Sequence, residues 1–227
     1  MPFTQVEHVQ DEFMRQSRSR VFFGAALLAT IAGYVNVVML SFFAVPVSHM
    51  SGAVSHLGIN LAAVELADVM LAAAIVAGFF LGALLSGLVL RDTQFKMKRR
   101  YGFLLILESG LLTLTMFLAL RGANATVPLA AMACGLQNAM ASSYRGLTLR
   151  TTHVTGIVTD LGALLGNRIR GRQISSWKFG LLFSVLVAFF LGGLAGAMVL
   201  VFLQMWALSL VALLCLILGL LVLMVSS

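Results

Sequence analysis

Hydrophobic residues in this chain run in long, nearly unbroken blocks: Val21 to Phe43, Val69 to Leu90, Tyr101 to Leu120, Val127 to Ser143, Phe179 to Phe202 and Met205 to Val225. A helix needs about 20 such residues to cross a hydrocarbon layer, with a range of roughly 17 to 25. The blocks therefore predict six spanning helices. Two further stretches, Val47 to Leu66 and Leu147 to Leu165, mix apolar residues with His, Ser, Thr, Asp and Gly. They are too polar to face lipid and too apolar to be solvated loops.

The two mixed stretches are copies of one another. Ser48-His49-Met50-Ser51-Gly52-Ala53-Val54-Ser55-His56-Leu57-Gly58 aligns with Thr152-His153-Val154-Thr155-Gly156-Ile157-Val158-Thr159-Asp160-Leu161-Gly162, with five of eleven positions identical and three more exchanging Ser for Thr. The preceding helices match at Gly33, Asn36 and Ser41 against Gly135, Asn138 and Ser143. The following helices share Phe79-Phe80-Leu81-Gly82 and Phe189-Phe190-Leu191-Gly192. Polar residues matched in order inside apolar sequence point to an internal duplication. The organisation expected is a tail at 1–20, a first membrane repeat at 21–120, an external loop at 121–126 and a second repeat at 127–227.

Charge then selects the topology. If the mixed stretches span, the two halves are parallel and the Arg91 to Arg100 loop falls opposite the Arg15, Arg18, Arg20 tail. If they dip in and return, each half has three spans and the second half is inverted. That arrangement places Arg15, Arg18, Arg20, Arg91, Lys96, Lys98, Arg99, Arg100, Arg145, Arg150, Arg168, Arg170, Arg172 and Lys178 on one side, 14 of the 15 basic residues. Only Arg121 stays opposite, with Glu65 and Asp68. Basic loops stay cytoplasmic, so the inverted form is expected: an all-α membrane protein of six spanning helices and two re-entrant half-helix segments. Both termini then lie in the cytoplasm, and the membrane is a bacterial inner membrane.

Composition agrees with the bilayer as solvent. Of 227 residues, 60% are hydrophobic and 10% charged, against roughly 25% charged in a soluble domain, and the mean hydropathy is +1.02. The net charge of +7 would suggest nucleic acid in a soluble protein. Here it sets orientation, and no nucleic-acid partner is expected. Cys134 and Cys215 lie in apolar runs and read as small core or lipid-facing residues. Met1 to Ser19 holds Glu7, His8, Asp11, Glu12, Arg15 and Arg18 without an apolar core. It reads as a tail or surface helix, not a cleavable signal.

Re-entrant backbone at membrane depth must face protein or a water-filled cavity. Gly52 and Gly156 are the expected turning points, each starting a half-helix whose free N–H groups favour an anion or the oxygen of a polar solute. Ser51 and Thr155, just before the glycines, either cap the helix or face the site. His49 and His153 are repeat mates, able to donate to a solute or carry a proton, or simply packed. His56 and Asp160 are also mates, and Asp160 either carries protons or complements its helix dipole. Asn36, Gln137 and Asn138 offer amides to a solute or to a neighbouring helix. Glu108 lies seven residues into its block, a costly place for a carboxylate, and is a candidate proton acceptor or a helix-packing residue. Arg150 either attracts an anion or anchors the topology. Gly78-x-x-x-Gly82 and Gly192-x-x-x-Gly196 suit close helix packing, at the repeat interface or in a homo-oligomer.

Gly33-Tyr34-Val35-Asn36 with Met50-Ser51-Gly52, and Gly135-Leu136-Gln137-Asn138 with Arg150-Thr151-Thr152-His153-Val154-Thr155-Gly156, resemble motifs of the YoaK-like family of bacterial membrane proteins. The resemblance covers roughly Val21 to Val225. Relatives carry Met-Thr-Gly-Asn where this chain has Met50-Ser51-Gly52-Ala53, so solute chemistry read by that asparagine would differ here. The family implies a multi-pass inner-membrane protein and no settled activity.

No zinc spacing, phosphate-binding glycine loop or nucleophile elbow is present, so neither an enzyme nor a cofactor is expected. The leading expectation is a permease or channel-like transporter for a small polar or anionic solute. Its site would lie between the half-helix starts, lined by Asn36, His49, Ser51, Gly52, Asn138, His153, Thr155 and Gly156, with Glu108 and Asp160 as proton-coupling groups. The alternative is a membrane enzyme or accessory protein without transport activity. Reporter fusions test the topology: Lys98 and Ser227 should report cytoplasm and Ala125 periplasm. A periplasmic Lys98 would remove the inverted arrangement.

Overall fold

A computed structural model describes residues 3–45, 47–90, 99–142 and 151–225, with side chains from Arg18 onward. The expectations for Ser143, Arg145, Arg150 and the 91–98 loop fall outside them. The regular structure is helical: α1 (Phe3–Phe43), α2 (Met50–Ala62), α3 (Leu66–Val89), α4 (Arg99–Leu120), α5 (Thr126–Ser142), α6 (Val154–Ile169), α7 (Ser176–Leu203) and α8 (Ala207–Val225), with a 3-10 turn at Gln204–Trp206 between the last two. Each predicted apolar block is helical. The tail is no separate element, because α1 continues through it as one 41-residue helix.

Arg18–Phe43, Leu66–Val89, Arg99–Leu120 and the continuous Ser176–Val225 stretch are long and apolar enough to cross a membrane. The last contains α7 and α8. At 17 residues, α5 is about 26 Å long, a little under a hydrocarbon layer of about 30 Å. Phe23, Phe80, Leu88, Phe190, Phe202 and Met224 point outward and are well exposed. An apolar outer surface this extensive needs lipid around it. The chain is a multi-pass membrane protein.

The bundle is held by close backbone approaches. Along α1 and α7, Phe22 lies beside Gly180, Thr30 beside Gly192 and Tyr34 beside Gly196, so these helices run parallel. Along α3 and α5, Gly78 lies against the Pro128 carbonyl and Gly82 against that of Met132, again parallel. Gly33 meets the Phe189 carbonyl, and its repeat mate Gly135 meets that of Phe79. The duplicated motifs therefore lock crosswise, each half's first helix onto the other half's third. Both small-residue motifs serve this interface within the chain. Meanwhile α4 runs antiparallel to α8, with Gly102 at Gly219 and Phe117 at Trp206. Without a hydrophobic force between helices in lipid, such van der Waals contact is a main source of association.

The short helices are attached at the margin. Packing places α2 on α3 and α6 on α7, and each buries a single residue, Ala53 and Ile157 respectively. After α1 the chain reverses at Ala44, with φ of 56°. Gly52 and Gly156 do not make the turns expected of them. They lie in the first turns of α2 and α6, and neither has a positive φ. A Cβ on Gly52 would meet nothing nearer than the His49 Cβ at 4.0 Å.

This changes which glycines matter. A Cβ at Gly82 or Gly192 would collide with the main-chain oxygen of the facing helix, which has no flexible end to move. Gly82→Val and Gly192→Val should each cost about 3 kcal/mol or more and abolish a monodisperse, folded peak in detergent. Gly52→Ala and Gly58→Ala should remain folded, with melting points at or above that of the parent. Equal behaviour in the two groups would refute the crosswise lock.

Candidate functional site

The repeated polar residues form two matched clamps. In the first half, the Ser48 hydroxyl donates to Asn36 Oδ1 at 2.7 Å. In the second, Asn138 Nδ2 donates to Thr152 Oγ1. Asn138 Oδ1 accepts from the Thr151 hydroxyl at 3.1 Å and from the Thr152 N–H at 3.3 Å. All five residues are buried. Asn36 and Asn138 are repeat mates, as are Ser48 and Thr152. Each clamp ties the chain entering a short helix to the helix two elements before the span that follows it: α1 for the entry to α2, α5 for the entry to α6. Both amides, expected to face solute, here have hydrogen bonds inside the fold. Gln137, also buried, donates through Nε2 to the Leu28 carbonyl at 2.9 Å and joins α5 to α1.

Beyond each clamp comes a histidine. His49 and His153 are the N-cap residues of α2 and α6, and neither helix has a side-chain cap hydrogen bond. Ser51 and Thr155 are exposed positions inside the first turns, not caps. The first intrahelical bonds run from Ala53 N–H to the His49 carbonyl and from Ile157 N–H to that of His153. The N–H groups of Ser51, Gly52, Thr155 and Gly156 precede those bonds and are the orphan donors of a helix start. His49 is half-buried, with Nδ1 buried and without a hydrogen-bond partner. His153 is exposed, and its imidazole occupies the space a Cβ on Gly156 would need. Glycine at 156 is thus explained by the histidine ring, not by a turn.

These residues do not gather around one point. The two helix starts belong to helices that pack on different partners, α2 on α3 and α6 on α7. His56 and Asp160 are exposed one turn further along. Glu108 sits elsewhere: α4 packs on α8, α5 and marginally α3, not on α2 or α6. It is 1% exposed, with Oε2 lacking a hydrogen-bond partner. Cys134 and Cys215 are buried on α5 and α8, the two helices against which α4 mainly packs. Sequence reasoning did not anticipate that grouping, since the cysteines lie on other helices and carry no spacing signal. Among the described residues, no cluster of His, Cys, Asp and Glu suits a metal ion. An open groove at Ser41, Phe42, Leu200, Val201 and Gln204 includes none of the candidate residues.

A helical bundle of long apolar helices with two short, polar, histidine-started helices defines a multi-pass integral membrane protein. Residues 24–221 match the family model described as "Protein of unknown function (DUF1275)", and the chain belongs to that family. No curated protein and no solved structure matches it.

The clamps are unequal, which gives an ordering. Asn138→Ala removes three hydrogen bonds and should destabilise the protein by about 1–3 kcal/mol. Asn36→Ala removes one, at about 0.6 kcal/mol for a typical interhelical bond in a membrane protein. Thermal unfolding in detergent should rank parent, Asn36→Ala and Asn138→Ala in falling order. The reverse order would show that the hydrogen bonds described do not carry the clamp.

Proposed function

We propose that this chain is a permease or channel-like transporter for a small polar or anionic solute, built from two inverted repeats. The observation that carries the reading is the pair of uncapped, histidine-started short helices, each tied at its start to a buried asparagine. Free N–H groups and the positive end of a helix dipole favour anions and carbonyl or hydroxyl oxygens. Backbone left open at membrane depth is tolerated where it lines a water-filled path. Interrupted helices at repeat-related positions are a recurrent arrangement in transporters.

Helix directions support the inversion. With α1 and α7 parallel, α3 and α5 parallel, and α4 antiparallel to α8, tight turns after α4 and α7 give six alternating crossings. Both α2 and α6 are then re-entrant, one from each side. The basic ends of α1, α4 and α6 share a face, which the positive-inside rule assigns to the cytoplasm of a bacterial inner membrane. Likeness to the YoaK-like proteins implies a multi-pass inner-membrane protein. The half-sites act in series along one path: His49, Ser51 and Gly52 on one side, His153, Thr155 and Gly156 on the other. Asn36 and Asn138 act as positioning residues that hold the helix starts. Glu108 is the proton-coupling group. It acts through α5, where Cys134 lies one turn from Asn138, so a change of charge at Glu108 is felt by the helix that positions α6. Asp160, on the exposed face of α6, is the alternative proton carrier.

A solute screen in proteoliposomes, with and without a pH gradient, tests this. His49→Ala and His153→Ala should each lower flux at least ten-fold in well-folded protein, about 1.4 kcal/mol at the limiting step. Glu108→Gln should keep flux but lose its dependence on the gradient. Parental flux from both histidine variants would sink the half-sites. Intact coupling in Glu108→Gln would return that carboxylate to a packing role. No flux for any polar or anionic solute would favour an accessory protein or membrane enzyme whose amides simply hold the bundle.

A further inference from the structure

We propose that the corner where the N-terminal end of the α1 span meets the end of α6 and the start of α7 holds the headgroup of an anionic phospholipid. This site is independent of the half-helix starts. Val21, Ala25, Ile157, Leu181 and Val185 form one buried cluster there, with Phe22, Leu161, Leu164 and Trp177 packed against it. The cluster joins the start of the α1 span to α7, and α6 to α7 through Ile157, Leu161 and Leu164. Above the cluster, the Arg18 guanidinium lies over the Trp177 ring, 5.6 Å from its centroid, within cation–π range. Arg18 Nε is buried and has no hydrogen-bond partner.

Arg20 on α1, Arg168 at the end of α6, Arg170 and Arg172 in the loop and Lys178 at the start of α7 are all exposed. The loop from α6 to α7 turns at Gly171, with φ of 75°. Arg172 donates to Asn167 Oδ1 at 3.4 Å. No acidic residue occurs between Leu161 and Lys178, so the stretch holds no compensating charge of its own. Topology alone asks only for charge near a helix end. It does not ask for a guanidinium held over an indole ring. A phosphate oxygen is the acceptor that suits such a fork.

Nearby apolar surface selects lipid over a free anion. Phe23 and Ile169 are 71% and 78% exposed, one turn inward from Arg20 and beside Arg170. They give acyl chains a place to lie while the phosphate meets the arginines. A basic corner between membrane helices is a recognised design for anionic headgroups.

The test is a lipid titration of the purified full chain in neutral detergent, followed by thermal unfolding. Phosphatidylglycerol should raise the midpoint more than phosphatidylcholine does. The apparent affinity for phosphatidylglycerol should fall roughly five-fold for each arginine removed, about the worth of one basic residue at an anionic surface. Arg18→Gln and the surface double variant Arg170→Gln/Arg172→Gln carry this arm. Arg121→Gln, at the far end of α4, should match the parent. If Arg18→Gln fails to fold, the double variant decides. Equal phosphatidylglycerol response in the parent and the double variant overturns the proposal. So does a midpoint rise from inorganic phosphate alone that phosphatidylglycerol does not exceed, since the site would then be a simple anion site.

Discussion

The close approach of glycine to a facing carbonyl is the contact on which the rest of this bundle depends. In lipid, apolar side chains gain nothing by leaving one apolar solvent for another. Helices stay together where backbones come near enough for dense van der Waals contact. Gly33, Gly82, Gly135 and Gly192 create that proximity at repeat-related positions. Because each contact joins one half's first helix to the other half's third, neither half forms its best interface alone. The duplication is thus not two domains side by side. It is one interlocked body whose halves complete each other, and α4 against α8 closes the remaining side through Gly102 and Gly219.

That lock leaves the interior nearly free of unplaced polarity. Tyr34 donates to the Ala207 carbonyl at 2.9 Å, Gln137 to that of Leu28, and the two asparagines hold the entries to α2 and α6. Each bond crosses between segments, so the polar residues act as pins in a body held mainly by shape. A buried amide without such partners would be costly. Against this background the exceptions stand out. Among the described residues, Glu108 keeps an unpartnered oxygen on α4, His49 an unpartnered ring nitrogen at the start of α2, and Arg18 Nε and the Ser86 hydroxyl are likewise buried without a hydrogen bond.

Much of this architecture was legible in the chain. Apolar run length located a helix in every predicted block, and the matched polar motifs located α2 and α6. The reason is physical: a bilayer punishes every polar residue outside a narrow set of places, so those places show in one dimension. Partner choice did not show. Nothing in Gly-x-x-x-Gly says whether the facing helix belongs to the same half, the other half or another copy. Gly52 misled for a related reason, since glycine marks freedom of the backbone and tight packing alike. Here its mate Gly156 makes room for the His153 ring, and the reversal after α1 falls on Ala44. An amide is equally ambiguous: Asn36 and Asn138 carry the same donors and acceptors whether they meet a solute or the next segment of chain.

The division of roles among matched residues narrows where a solute could bind under the proposed function. Groups with hydrogen bonds inside the fold are poor ligands, because a solute would have to break those bonds before gaining its own. Asn36, Asn138, Ser48, Thr151 and Thr152 fall in this class. What remains at both matched positions is a histidine, a hydroxyl and an uncapped helix start on elements that bury one residue each. Elements so lightly packed can shift without disturbing the glycine contacts that hold α1 to α7 and α3 to α5. Under the proposed transport function, a crosswise frame carrying two lightly attached polar helices would let one part move while the rest stays assembled, as alternating access requires. On that proposal the asparagine clamps would limit the movement, because they bind the entrance of each short helix.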